Sequence, residues 1–171
     1  MSILNEQDTA SRQKRFGQYF SGKKVADLLV ALLPKSIPIK SAIDPMVGVG
    51  DMLSALKAQK EEVDRLVGIE IDKTIIQTCR NNVPFATIRH GDAFAKCRLN
   101  GGKGWDLVIT NPPYIRYQLL TDEDNSNTLP SSEEIRNNLI STLSANKNLS
   151  ASDKELFLRL AKNYSGLSDM A

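Results

Sequence analysis

Short apolar runs alternate with helical patterns from residue 41 to residue 110, and this alternation limits the folds open to the chain. The runs are "SAIDP" (41–45), "RLVGIEI" (65–71), "ATIRH" (86–90) and "WDLVIT" (105–110). Between them, "DMLSALKAQK" (51–60) and "KTIIQTCRNN" (73–82) read as helices. Strands that alternate with helices make βαβ units, and such units build a parallel sheet with right-handed crossovers. Ahead of the first strand, Val25, Leu28, Leu29, Leu32 and Leu33 fall on one helical face. Ser21 is placed to cap that helix, and Pro34 stops it.

With 171 residues, 41% hydrophobic and 25% charged, the chain fits one globular domain with a buried core. Its net charge of +2 is unevenly spread. Residues 1–40 carry seven Lys/Arg against three Asp/Glu, and residues 121–155 carry three against seven. The basic end holds Arg12, Lys14 and Arg15 beside Phe16, Tyr19 and Phe20, a mix suited to phosphates and base faces. Cys79, Cys97 and His90 have no metal-ligand spacing and read as structural, which excludes a zinc site and a Ser-His-Asp triad. No apolar run is long enough for a membrane span and nothing resembles a signal peptide, so the chain reads as cytoplasmic.

Three constellations fall at the ends of strands, where open parallel sheets bind ligands. The first is Asp44-Pro45-Met46-Val47-Gly48-Val49-Gly50, with Glu70 ending the next strand 20 residues later. Glycines allow a tight turn and close backbone approach, and an acidic strand end can bind both ribose hydroxyls. Leu53 stands where a dinucleotide fingerprint needs a third small residue, and no P-loop is present. Asp44 also places a carboxylate where phosphates would sit. The turn therefore suits an adenosine with a cationic amino-acid tail, as in S-adenosylmethionine. The second is "GDAF" (91–94), where Asp92 can accept from an adenine amine and Phe94 can cover the ring.

The third is Asn111-Pro112-Pro113-Tyr114. The prolines end the strand and hold its backbone rigid. The Asn111 side-chain oxygen and the Pro112 carbonyl can accept both hydrogens of an exocyclic amine, which frees its lone pair. Tyr114 offers a stacking face.

Together these residues resemble the S-adenosylmethionine-dependent DNA adenine-N6 methyltransferases whose cofactor motifs precede the catalytic one. "FGQYFSGKKVADLLV", with Gln18, Tyr19, Phe20 and Ser21, is similar to the segment that contacts the methionine moiety. "AIDPMVGVGDML" resembles the glycine motif through Asp44, Pro45, Gly48 and Gly50, and "VGIEID" the ribose motif through Glu70 and Ile71. "GDAF" resembles the adenine motif through Asp92, Ala93 and Phe94, and "TNPPY" the catalytic motif. Order and spacing agree over residues 15–118, and "NPPYIRYQ" looks most like the large bacterial restriction-modification and phage-defence members.

The resemblance implies an α/β, Rossmann-like methyltransferase fold with a largely parallel sheet. It implies methyl transfer from S-adenosylmethionine to adenine N6 in double-stranded DNA, with the target base swung out of the duplex. Ser21-Gly22 replaces the family's frequent Thr-Pro, and Ser21 keeps a hydroxyl. The family's last strands and target-recognition region are not seen after "SGLSDMA", so the expectation is an N-terminal fragment, inactive alone and completed by the missing parts or another chain. The corresponding divisions are a basic segment (1–20), the cofactor and catalytic core (21–118), a polar flexible loop (119–152) with a weak helix near 133–143, and a helix with the truncated end (153–171). That last helix has Leu156, Phe157, Leu160, Ala161 and Tyr164 on one side. A protein-glutamine or RNA methyltransferase sharing the Asn-Pro-Pro-Tyr motif, and a non-catalytic cofactor-binding module, are the alternatives.

Overall fold

The computed structural model describes residues 21–96, 104–112, 131–147 and 149–163. Among the described residues ten elements follow in order: α1 (Gly22–Ala31), β1 (Ser41–Asp44), α2 (Asp51–Gln59), β2 (Arg65–Glu70), α3 (Lys73–Asn82), β3 (Thr87–His90), α4 (Ala93–Lys96), β4 (Leu107–Val108), α5 (Ser132–Ala145) and α6 (Ala151–Asn163). All four strands are parallel, in the order β3-β2-β1-β4. This is the start of the doubly wound Rossmann order. The chain moves outward from β1 to β3 and then returns to the other side of β1. Loops leaving β1 and β4 therefore diverge, and a crevice opens between their carboxyl ends.

The sheet's two faces follow the two-residue strand period. Ala42, Leu66 and Ile88 pack with Leu53 and Leu56 of α2, Ile76 and Cys79 of α3 and Ala26 and Val30 of α1. Ile43, Val67 and Ile69 face the other way, toward Ala93 and Trp105. The Arg65 guanidinium lies 4.2 Å from the Trp105 ring centre, a cation–π contact at the start of β2. Asp106 ties β4 to β1: its Oδ2 accepts from Lys40 N–H at 3.0 Å, Ser41 N–H at 2.8 Å and the Ser41 hydroxyl at 2.9 Å. Those bonds, the hydroxyl's foremost, hold its carboxyl below the usual range. Among the described residues no helix is long and apolar enough to cross a membrane.

Helix α1 forms where its pattern places it, but it buries a different face. Ala26 and Val30 are buried, whereas Val25, Leu28, Leu29 and Leu32 are exposed, Leu32 by 71%. The reason is its contact with α2. Asp51 Oδ2 accepts from Gly22 N–H at 3.1 Å, and Gln59 Nε2 donates to the Asp27 carbonyl at 3.0 Å. These bonds turn the small side of α1 inward. They also replace the expected cap: Ser21 has helical dihedrals and makes no capping hydrogen bond.

Further along, the weak helix expected near 133–143 in the polar stretch is α5, which runs for 14 residues. Ser131 and Glu134 form a capping box: the Ser131 hydroxyl accepts from Glu134 N–H at 3.1 Å, and the Glu134 carboxylate from Ser131 N–H at 2.6 Å. Ile135 is fully buried one residue later. On α6 only Ala161 of the expected apolar side is buried, while Leu156, Phe157 and Leu160 are exposed. Tyr164 lies outside the described residues.

Gly68 sits where two layers meet. A Cβ there would stand 2.7 Å from Val47 Cγ2 and 2.9 Å from Ile88 Cδ1. Gly68→Ala must therefore push Val47, and the turn that carries it, away from the sheet. The expected loss is about 1–3 kcal/mol, the usual range for overpacking. Urea denaturation checks it, and a variant as stable as wild type would contradict the close packing.

Candidate functional site

The carboxyl ends of β1 and β4 border one cleft. It is lined by Asp44, Met46, Gly48 and Asp51, by Ser21 from the start of α1, and by Asn111 from the end of β4. Two motifs 67 residues apart in sequence thus share a wall, because β1 and β4 are neighbours. The pairing runs on past the ladder, with Ile109 N–H donating to the Ile43 carbonyl at 3.1 Å. Thr110 then comes beside Asp44.

The turn after β1 is held by its own hydrogen bonds. Asp44 Oδ1 accepts from Met46 N–H at 3.0 Å. Val47 N–H donates to the Ile69 carbonyl at 2.9 Å, and Gly48 N–H to Glu70 Oε2 at 3.0 Å. Gly50 has φ of 98° and precedes α2, a conformation that disfavours a side chain. A Cβ there would also lie 3.1 Å from Val83.

Glu70 joins three loops. Its Oε1 accepts from Asp72 N–H at 2.8 Å, and its carbonyl accepts from Gly91 N–H at 2.9 Å. Asp72 is fully buried and caps α3, accepting from Thr74 N–H at 2.9 Å and the Thr74 hydroxyl at 2.7 Å. Asp72 was not singled out from sequence. The signal is there to read, since Asp before Lys-Thr starts a helical pattern.

Asp44 and Glu70 are both buried acids. Burial pushes Asp44 from 3.8 up to about 7 against the lowering effects of the Thr110 hydroxyl and the Met46 N–H. The Thr110 hydroxyl is close enough to favour the charged form but makes no well-formed hydrogen bond of its own. Burial also raises Glu70, opposed by the N–H groups of Asp72 and Gly48. These acids are held by backbone dipoles, with no ion pair among the described residues. Burial raises the Cys79 thiol to about 12, so it is inert packing.

The other expected residues are placed as follows. Pro45 flanks the turn and is partly exposed, and the partly exposed Ile71 offers its carbonyl to His90 Nε2 at 3.1 Å. Asp92 follows β3 and its Oδ1 accepts from Phe94 N–H at 3.1 Å, while Ala93 and Phe94 are half-buried at the start of α4. Asn111 and Pro112 are half-buried at the end of β4. Gln18, Tyr19, Phe20, Pro113 and Tyr114 lie outside the described residues, as does Cys97. Among the described residues no three His, Cys, Asp or Glu side chains gather as a metal site.

A family model described as N-6 DNA Methylase matches residues 3–151. Among solved structures, the type I restriction-modification methyltransferase subunit of Streptococcus thermophilus is 16% identical with a TM-score of 0.48, the match covering 67% of this chain and 30% of that one. The amino pentose methyltransferase CalS10 of Micromonospora echinaspora, solved with SAM bound, is 16% identical with a TM-score of 0.44, over 84% of this chain and 53% of that one. DesVI of Streptomyces venezuelae is 18% identical with a TM-score of 0.42, over 82% and 50%. The chain thus spans about half the length of the last two.

The raised Asp44 gives a signed prediction. Its folded pKa of about 7 lies above the ordinary 3.8, so the folded state holds an extra proton between those values. The contribution of Asp44 to stability is then largest below about pH 4 and is lost as pH rises toward 7. Asp44→Asn keeps an acceptor for Met46 N–H and removes the buried charge. It is expected to raise the melting temperature by several degrees at pH 8 and to leave it nearly unchanged at pH 4, measured by thermal denaturation at both.

Proposed function

The chain belongs to the N-6 DNA methylase family, and on that premise we propose that the cleft between β1 and β4 binds S-adenosylmethionine and presents its methyl group to an exocyclic amine. The observation that carries this reading is the shared wall: the cleft places Asp44 of the glycine turn beside Asn111. Transfer to adenine N6 in double-stranded DNA is the finer form of the proposal.

The residues fit that cofactor. Asp44 is a buried carboxylate with no cation of its own among the described residues, beside a hydroxyl that lacks a good partner. A cationic amino-acid tail would supply the missing charge and draw Asp44 into its ionised form. Glu70 accepts from Gly48 on one oxygen and from Asp72 on the other, with the Ile71 N–H also near the carboxylate, and its two oxygens are the acceptors offered to the two hydroxyls of a ribose. A bare phosphate, by contrast, would meet two carboxylates. When bound, S-adenosylmethionine supplies an electrophilic methyl group carried on a sulfonium.

The chain's own residues do the rest. The Asn111 oxygen and the Pro112 carbonyl accept the two amine hydrogens and turn the nitrogen lone pair out of conjugation with the ring. Tyr114 stacks on the base. Asp106 contributes indirectly, because its bonds to Lys40 and Ser41 hold the strand that ends in Asn111. Holding both reactants in place can be worth roughly 7–11 kcal/mol of the barrier. A base inside a duplex is out of reach of this cleft, so it is flipped out at a cost of a few kcal/mol.

Cofactor binding is the first readout. Calorimetric titration with S-adenosylmethionine should show binding by wild type that Glu70→Ala weakens about tenfold or more, since hydrogen bonds to a charged group are worth about 1.5–3 kcal/mol. Equal affinity in the variant would remove the ribose from Glu70, and no binding by wild type would sink the reading. Labelled methyl transfer, offered double-stranded DNA, an RNA and a glutamine peptide in parallel, identifies the acceptor; Asn111→Ala should abolish it.

A further inference from the structure

Helix α5 reaches back to the loop after β3 through one face. Asn138 and Thr142 follow the buried Ile135 at helical spacings of three and seven residues. Asn138 Nδ2 donates to Asp92 Oδ2 at 2.7 Å, and the Thr142 hydroxyl donates to the Phe94 carbonyl at 2.9 Å. With Phe94 N–H on Oδ1, the Asp92 carboxylate is fixed through both oxygens.

The pair leaves a particular edge unused. A carboxylate has about four acceptor positions, and Asp92 spends one on each oxygen. Asn138 spends one amide hydrogen on Asp92. Its second N–H and its carbonyl oxygen have no partner among the described residues. Held together by that bond, the two groups have an acceptor and a donor to spare next to each other. Adenine presents the complement, an amine donor beside a ring-nitrogen acceptor. Hypoxanthine presents the reverse, a carbonyl beside an N–H, and would set its carbonyl against the carboxylate.

We infer that Asn138 is a positioning and specificity residue of the cofactor pocket: it orients Asp92 and completes an edge that reads adenine, which makes α5 part of the site. This rests on the cofactor reading above. Nothing in the local sequence around Asn138 marks it, since 46 residues separate it from Asp92.

The test measures affinities for S-adenosylhomocysteine and its inosine counterpart by calorimetry, in wild type, Asn138→Leu, Asn138→Ser and Thr142→Val. Wild type should prefer the adenosine ligand. Asn138→Leu should lose about three- to tenfold in affinity for it, as expected for one hydrogen bond to an uncharged acceptor, and its discrimination should narrow. Asn138→Ser, which is smaller and retains a hydroxyl donor, should fall between; it also serves if the leucine variant fails to fold by circular dichroism. Thr142→Val cuts the other tether and should keep the discrimination, which a purely structural role for α5 would not allow. Unchanged discrimination in both Asn138 variants, with wild type binding well, overturns this inference alone. No binding of either ligand by wild type overturns the cofactor reading and this inference with it.

Discussion

The site depends on two hydrogen bonds from one turn to the end of one strand. Val47 N–H reaches the Ile69 carbonyl and Gly48 N–H reaches the Glu70 carboxylate. They form because Gly68 has no side chain to keep Val47 off the sheet. Through Glu70 the same link extends to Asp72, which starts α3, and to Gly91, which starts the loop carrying Asp92. Backbone donors of three loops thus converge on one residue. That arrangement gives the acid its orientation at the end of β2.

Buried acids are a poor choice for stability alone. Asp44 and Glu70 lose hydration on folding and gain only backbone dipoles and a hydroxyl in return. An apolar pair of similar size would suit the core better. Their placement at adjoining strand ends makes sense when a cation and a diol complete them. The unsatisfied Thr110 hydroxyl beside Asp44 points the same way.

Elements and site were legible to different degrees. The strands and the helices between them stand where the apolar runs put them, because period and composition are local. The buried side of α1 was not legible, although its leucine stripe looked decisive. Asp51 and Gln59 of α2 orient that helix, and small Ala26 lets it approach closely. Helix α5 was legible only as a weak helix near 133–143, because Ser, Asn and Thr dominate its surroundings. Its capping box was in view at Ser131 and Glu134, but the single deep anchor, Ile135, makes no periodic signal.

By itself the sequence determined the parallel α/β class, the motif at each strand end and the chemical type of each group. Those follow from short-range rules: strand period, turn glycines, proline at a strand end. Only the tertiary structure decided which motifs meet. The return of the chain across β1 brings Asn111 to Asp44, and the docking of α5 brings Asn138 to Asp92. The physical reason is that partners far apart in the chain are chosen by strand order and helix packing, which depend on the whole core at once and leave no local periodicity to read.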